Sequence, residues 1–209
     1  MLLIALLGIA CLLTASCEKD SATQPPSAEP FGLPLTKEAL LDSFRTAYQN
    51  RDIEGYGSLL HPDFKFITLG TGLPFELPYQ VFDREMDLAC MTNIFSGEPY
   101  VAADGTREGA VTDITFPLLE QLTLWEPAAH PDFPSAQRAL FEIEISLDRL
   151  ADSKLHVAGM TELYAVQQDS LHNGVHEDYW RLRGQIDHTE SGGKPVEPVT
   201  WSILKLLYQ

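Results

Sequence analysis

Cysteine is scarce in this sequence: three residues in 209, at positions 11, 17 and 90. So few exclude a disulfide-stapled scaffold and a cysteine-rich zinc site. Positive charge is scarce as well. Lys and Arg number 14 against 30 Asp and Glu, a formal net charge of -16. Such a surface repels phosphate backbones and anionic headgroups, so no nucleic-acid partner and no electrostatic adhesion to a membrane is expected. The spacings of common catalytic centres are missing: HExxH, GxSxG, CxxC, the P-loop and GxGxxG. No motif asks for a cofactor or a metal. His172 and His176 are separated by only three residues, but Asn173-Gly174 lies between them, and a hairpin there would send them to opposite faces. Long apolar runs are limited to the first 16 residues, short of the roughly 20 that a spanning helix needs.

That first run is uncharged from Met1 to Ser16 and fits a secretory signal. It ends Leu13-Thr14-Ala15-Ser16-Cys17, which resembles the lipobox of bacterial lipoproteins. The resemblance implies cleavage before Cys17 and acylation of Cys17, with membrane attachment through two or three acyl chains. No Lys or Arg precedes the run, which departs from the family pattern. The alternative is an ordinary secretory signal with Cys17 a bystander. Glu18 rather than Asp follows Cys17; by analogy with sorting in enteric bacteria, the expected location is the outer membrane of a bacterial envelope. Residues 17–35 hold Pro25, Pro26, Pro30 and Pro34 among small polar residues and read as a tether. Residues 36–209 remain for one domain. Cys90 is then left without an intramolecular partner. Its neighbours Leu88, Met91, Ile94 and Phe95 predict a small buried apolar residue rather than a nucleophile.

The domain opens at Thr36, an N-cap, followed by Leu40, Phe44, Ala47 and Tyr48 at helical spacing. Asp52 caps a shorter helix through Leu60, stopped by His61-Pro62-Asp63. A third helix is predicted over 79–95. The period then changes to two. Ile114, Phe116, Leu118, Leu122 and Leu124 share one parity, and Phe141, Ile143, Ile145 and Leu147 alternate with polar residues. Further strands are predicted over 154–169, 175–188 and 199–208. Helices first and strands after them predict an α+β fold with an antiparallel sheet covered on one face.

Asn173-Gly174 is a favoured two-residue hairpin turn. With His172 opposite Val175, one face carries Leu163, Ala165, Gln167 and Leu171 opposite Gly184, Leu182, Trp180 and His176. The other carries Glu162, Tyr164 and Val166 opposite Gln185, Arg183 and Arg181. The first face is expected to lie under the helices. Asp169 would meet Asp178, an awkward like-charge pair unless the tip is solvated.

The run AYQNRDIEGYGSLLHPDFKF at 47–66, with WRLRGQIDH and the terminal VTWSILKLLY, resembles the nuclear transport factor 2-like superfamily, also called SnoaL-like or cystatin-like. The resemblance covers about Thr36 to Gln209. It implies three helices packed on a strongly bent antiparallel sheet, a cone enclosing a pocket; a lipocalin-like barrel is the competing fold. Enzymes of the superfamily are small-molecule isomerases, dehydratases and cyclases that place an Asp or His in the cone. The residues nearest that pattern are Asp178 and His176 beside Trp180, with Tyr48 and Tyr56 as donors from the helices. Together they form the expected ligand-binding set. Solvent at the hairpin tip and core filling by the tyrosines explain the same residues without any site. The expected function is a non-catalytic envelope domain that binds a small apolar ligand or a protein partner, with homodimerisation through the sheet open. The alternative is a cone-pocket acid-base isomerase or dehydratase.

Overall fold

The computed structural model describes residues 32–68, 80–101, 105, 107–150, 153–172, 175–188, 204–205 and 208–209. The expected signal, Cys17, most of the tether and the Asn173-Gly174 turn lie outside the described residues.

Three helices precede most of the sheet. Thr36 Oγ1 accepts the Ala39 N–H at 3.1 Å and starts α1 (Lys37–Asn50). Arg51, with φ 52°, closes it. Asp52 Oδ1 accepts the Gly55 N–H at 2.8 Å and starts α2 (Ile53–Leu59). Each cap satisfies an N–H that a helix start leaves open. The chain passes directly into β1 (Leu60–Thr68), so the strand begins before His61-Pro62-Asp63 rather than after it. Pro62 is tolerated because pairing with the neighbouring strand is interrupted between Leu60 and Lys65.

The third helix is shorter than expected. β2 (Gln80–Asp83) comes first, antiparallel to β1, with the Phe82 ring meeting Phe66 edge-on at 5.8 Å. Asp83 then caps α3 (Arg84–Phe95), accepting the Met86 N–H at 2.9 Å. Two short strands, β3 (Tyr100–Val101) and β4 (Arg107–Glu108), pair apart from the main sheet. The remaining strands are β5 (Val111–Gln121), β6 (Glu126–Pro127), β7 (Gln137–Arg149), β8 (Ser153–His172) and β9 (Val175–Asp187).

The main sheet runs β2-β1-β9-β8-β7-β5, with β6 added to β7. The sheet is mixed rather than wholly antiparallel, because β1 and β9 are parallel. It curls strongly around the three helices, the α+β cone arrangement expected from the sequence. The 199–208 segment was expected as a final strand. Its described residues Leu204 and Lys205 have helical backbone instead, and both side chains are buried.

Two bulges reset which side chains face inward. On β5, pairing shifts between Thr115 and Leu118, around Pro117. Leu119 therefore packs on the core, and the strand ends before Leu122 and Leu124, which are exposed. On β9, pairs from Ala165↔Leu182 to His172↔Val175 follow the expected register, but Tyr164 meets Gly184 and Leu163 meets Gln185. The extra residue is Arg183. A one-residue slip exchanges faces. Gly184 accordingly lies on the outer face, where the Phe133 ring occupies the space a side chain would need: a Cβ there would lie 2.0 Å from the ring.

The main core lies between helices and sheet, and includes Leu40, Phe44, Tyr48, Tyr56, Phe116, Phe141, Leu163 and Leu182. A second cluster covers the outer face: Ile67, Phe133, Ala136, Tyr164 and Ile186. Its lid is the connection from β6 to β7, which folds back over β8 and β9. Cys90 is buried at 1 % exposure, and burial pushes its thiol up to about 11.

Candidate functional site

The five residues expected to share a ligand site occupy three places. Tyr48 and Tyr56 are inside. The Tyr48 ring lies 4.8 Å from Phe44, 5.3 Å from Tyr56 and 5.2 Å from Phe95. At 1 % and 0 % exposure, neither tyrosine borders a void that would hold a water. Burial raises both hydroxyl pKa values well above the ordinary range. Trp180 is half-buried at the end of α1. Its ring and that of Trp125 flank the Lys37 ammonium at 4.9 and 5.3 Å, and Lys37 donates to Gln137 Oε1 at 2.5 Å. His176 and Asp178 are exposed on the hairpin. Asp169 does sit opposite Asp178, and His176 Nδ1 approaches the Asp169 carboxylate at 2.8 Å. Solvent and that imidazole relieve the like-charge pair.

The interior holds a polar group the sequence reading missed. Asp87, on the buried face of α3, accepts from the Tyr56 hydroxyl at 2.7 Å and contacts the Lys205 ammonium. Both charged side chains are fully buried. Lys205 also lies 4.1 Å from the centre of the Phe66 ring. Burial pushes the Lys205 amine well down. The carboxylate in contact favours the charged amine and so opposes that shift. A signal was present: Asp87 interrupts the apolar face of one helix, and Lys205 interrupts the apolar run SILKLLY. Two lone opposite charges in apolar runs are best buried together.

The richest open arrangement lies on the outer face. A cleft of about 460 Å³ is lined by Ala129, His130, Pro131, Arg138, Glu162, Tyr164, Ile186 and His188. Strand alternation puts Glu162 and Tyr164 on the same outer face, and the Tyr164 hydroxyl donates to Glu162 Oε2 at 2.5 Å. Arg138 Nη1 donates to Glu162 Oε1 at 2.9 Å, and His188 Nε2 lies 3.6 Å from Oε2. His188, the Tyr164 hydroxyl and Arg138 together outweigh burial and hold the Glu162 carboxyl down at about 2. Burial and the Glu162 carboxylate push the Tyr164 hydroxyl up. His130 stacks 4.9 Å from Phe133 and meets Tyr164 edge-on at 5.9 Å. Its Nδ1 accepts the Asp132 N–H at 3.3 Å, the local turn bond also made by His61 to Asp63 at 3.0 Å. The site therefore offers ring faces, an apolar floor at Ile186 and a fixed carboxylate. Among the described residues no group of three His, Cys, Asp or Glu gathers as a metal site.

No protein-family model matches the sequence, and none of the curated proteins compared with it matches either. Solved structures do resemble the fold. A conserved protein from Planctomyces limnophilus is 14 % identical, with a TM-score of 0.45 over 71 % of this chain and 89 % of that one. An NTF2-like protein of unknown function in nutrient uptake from Rhodospirillum rubrum is 11 % identical, with a TM-score of 0.40 over 70 % and 92 %. Hexachlorocyclohexane dehydrochlorinase LinA-type3 from Novosphingobium barchaimii is 11 % identical, with a TM-score of 0.42 over 70 % and 79 %. The neighbours thus include an enzyme and proteins with no assigned activity, at likenesses that carry no activity to this chain.

Proposed function

We propose that the chain is the folded domain of a lipid-anchored bacterial envelope protein that binds a small, partly apolar ligand in its outer-face cleft rather than transforming one. The observation that supports binding over catalysis is the protonation state of that cleft. A carboxyl held at about 2 is too weak a base to take a proton efficiently near neutral pH, and a tyrosine raised above its ordinary value is too weak an acid to give one. What the cleft offers is fixed geometry: an ionised acceptor, two imidazoles and a ring-lined floor. The anchor rests on the lipobox-like Thr14-Ala15-Ser16-Cys17, and a proline-containing tether would let the domain stand off the bilayer.

The test has two arms. Labelled palmitate should enter the protein and be lost in Cys17→Ser; retained label would refute the anchor. A panel of small aromatic and aliphatic amphiphiles should give saturable NMR shifts at the His130 and His188 rings, without turnover. Shifts confined to other parts of the molecule would refute the cleft as the site.

A second reading draws on the interior Tyr56–Asp87–Lys205 group. An amine whose pKa is lowered by burial, touching a carboxylate, has the composition of an acid-base centre, and an isomerase or dehydratase would use it if the cone opened to substrate. Turnover abolished by Asp87→Asn in a folded protein would select this reading over the first.

A further inference from the structure

We propose that a second cleft, between α2, α3 and β9, binds the carboxylate or phosphate group of a small, partly apolar anion. The cleft measures about 430 Å³, within the range of small-molecule sites, and both Arg84 and Arg181 line it. Arg84 is the first residue of α3, and Arg181 reaches over from β9. In a chain with 30 acidic residues against 14 basic ones, a half-buried guanidinium not already held by a carboxylate is available to an anionic ligand. Arg138, Arg149 and Arg183 each hold one at 2.7 Å. Among the described residues, Arg84 and Arg181 hold none, and their recorded bonds go to carbonyls. Arg84 Nη2 donates to Gly57 at 2.9 Å. Arg181 Nη1 reaches Leu60 only at 3.5 Å, with its guanidinium 5.1 Å from the Tyr179 ring. The Nε of each is buried without a partner.

The other polar groups do not compete for donation. The Ser58 and Thr92 hydroxyls each donate to a carbonyl of their own helix at 2.7 Å. The guanidinium N–H groups are therefore the donors left for a ligand, and their planar fork suits a carboxylate or a phosphate. Ile53 and Leu88 supply an apolar wall for the rest of the molecule. Glu54 also lines the cleft, but it is exposed, so salt screens its repulsion more than the attraction of the half-buried arginines. This site is separate from the outer-face cleft, and neither proposal depends on the other.

The test uses the full-length chain with three probes of one shape: phenyl phosphate, phenylacetate and the neutral phenylacetamide. Binding is read from the side-chain Nε–H signals of Arg84 and Arg181. At least one anion should saturate these signals while the amide leaves them unmoved, and comparison of the two anions tells which headgroup is preferred. Arg181→Gln should weaken binding at least about tenfold, as loss of a charge-assisted fork does, while Arg107→Gln on the exposed surface leaves it unchanged. Arg84 also ties α3 to α2, so Arg84→Gln is read only alongside the backbone spectrum, and Arg181→Gln decides if that variant unfolds. Equal binding of the amide, no saturable shift with either anion, or unchanged affinity in Arg181→Gln would each overturn the proposal.

Discussion

At the scale of single residues, two kinds of burial make opposite demands. Cys90 is apolar in behaviour, and its neighbours in the sequence already predicted that. A thiol reagent should label it slowly in the native protein and fully once unfolded; fast native labelling would show the burial to be wrong. Asp87 and Lys205 are the harder case, because each interrupts an apolar run and looks like an error until the other is found 118 positions away. Removing one member strands a buried charge, which costs about 3–5 kcal/mol, whereas replacing both by apolar groups can be nearly neutral. Lys205→Met should therefore destabilise strongly in urea unfolding, and Asp87→Leu with Lys205→Met should recover most of the loss. Additive losses would mean the two do not act as a pair. Glu162 is a third case. Its folded pKa of about 2 lies below its ordinary value of 4.5, so the unfolded chain binds the proton first as pH falls. The stabilisation is fully present above about pH 4.5 and is lost progressively toward pH 2, on the order of 2 kcal/mol after allowing for solvent screening. Glu162→Gln should flatten that part of the stability curve.

At the scale of elements, the sequence showed most clearly what repeats locally. Caps at Thr36 and Asp52, the helical spacing from Leu40 to Tyr48 and the alternation from Phe141 to Leu147 all appear in the structure, because each depends on a few neighbouring residues. What it hid were places where one residue changes a register. The bulge at Arg183 carries no local mark, yet it turns Gly184 outward and aims Arg183 at Asp63, 2.7 Å away. The ligand set was illegible for the same reason. Tyr48, Trp180 and His176 share a type of chemistry, but curvature, helix docking and strand length decide where each one lies. The outer cleft depends on the β6–β7 connection folding back, a tertiary event that no period reveals. Gly184 tests that connection. Gly184→Ala places a methyl into the Phe133 ring, and overpacking of that kind costs about 1–3 kcal/mol. The variant should expose the 128–136 segment to protease, and Phe133→Leu in the same chain should restore part of the loss. Unchanged stability in Gly184→Ala would show that the lid is not seated as described.

At the scale of the whole molecule, composition acts where no single contact does. A net charge of -16 on 209 residues repels itself at every distance shorter than the screening length. Individual ion pairs work the other way, since salt weakens them, so the sign of the overall response depends on which is larger. The described pairs are few beside the excess of acid. Several have a partner well exposed, as with Lys154 and Asp148 at 73 % and 42 %, and such pairs contribute little. The Asp87–Lys205 pair is sealed from solvent and is scarcely screened at all. Repulsion should therefore dominate. Raising ionic strength from ~0.01 M to ~1 M shortens the screening length from about 30 Å to about 3 Å, and the Tm should rise across that range with sodium chloride. Lys205→Met should begin from a lower Tm and rise in parallel, because the pair it breaks lies out of reach of the salt. A Tm that fell with salt would mean that surface ion pairs, rather than the acidic excess, govern the electrostatics of the fold.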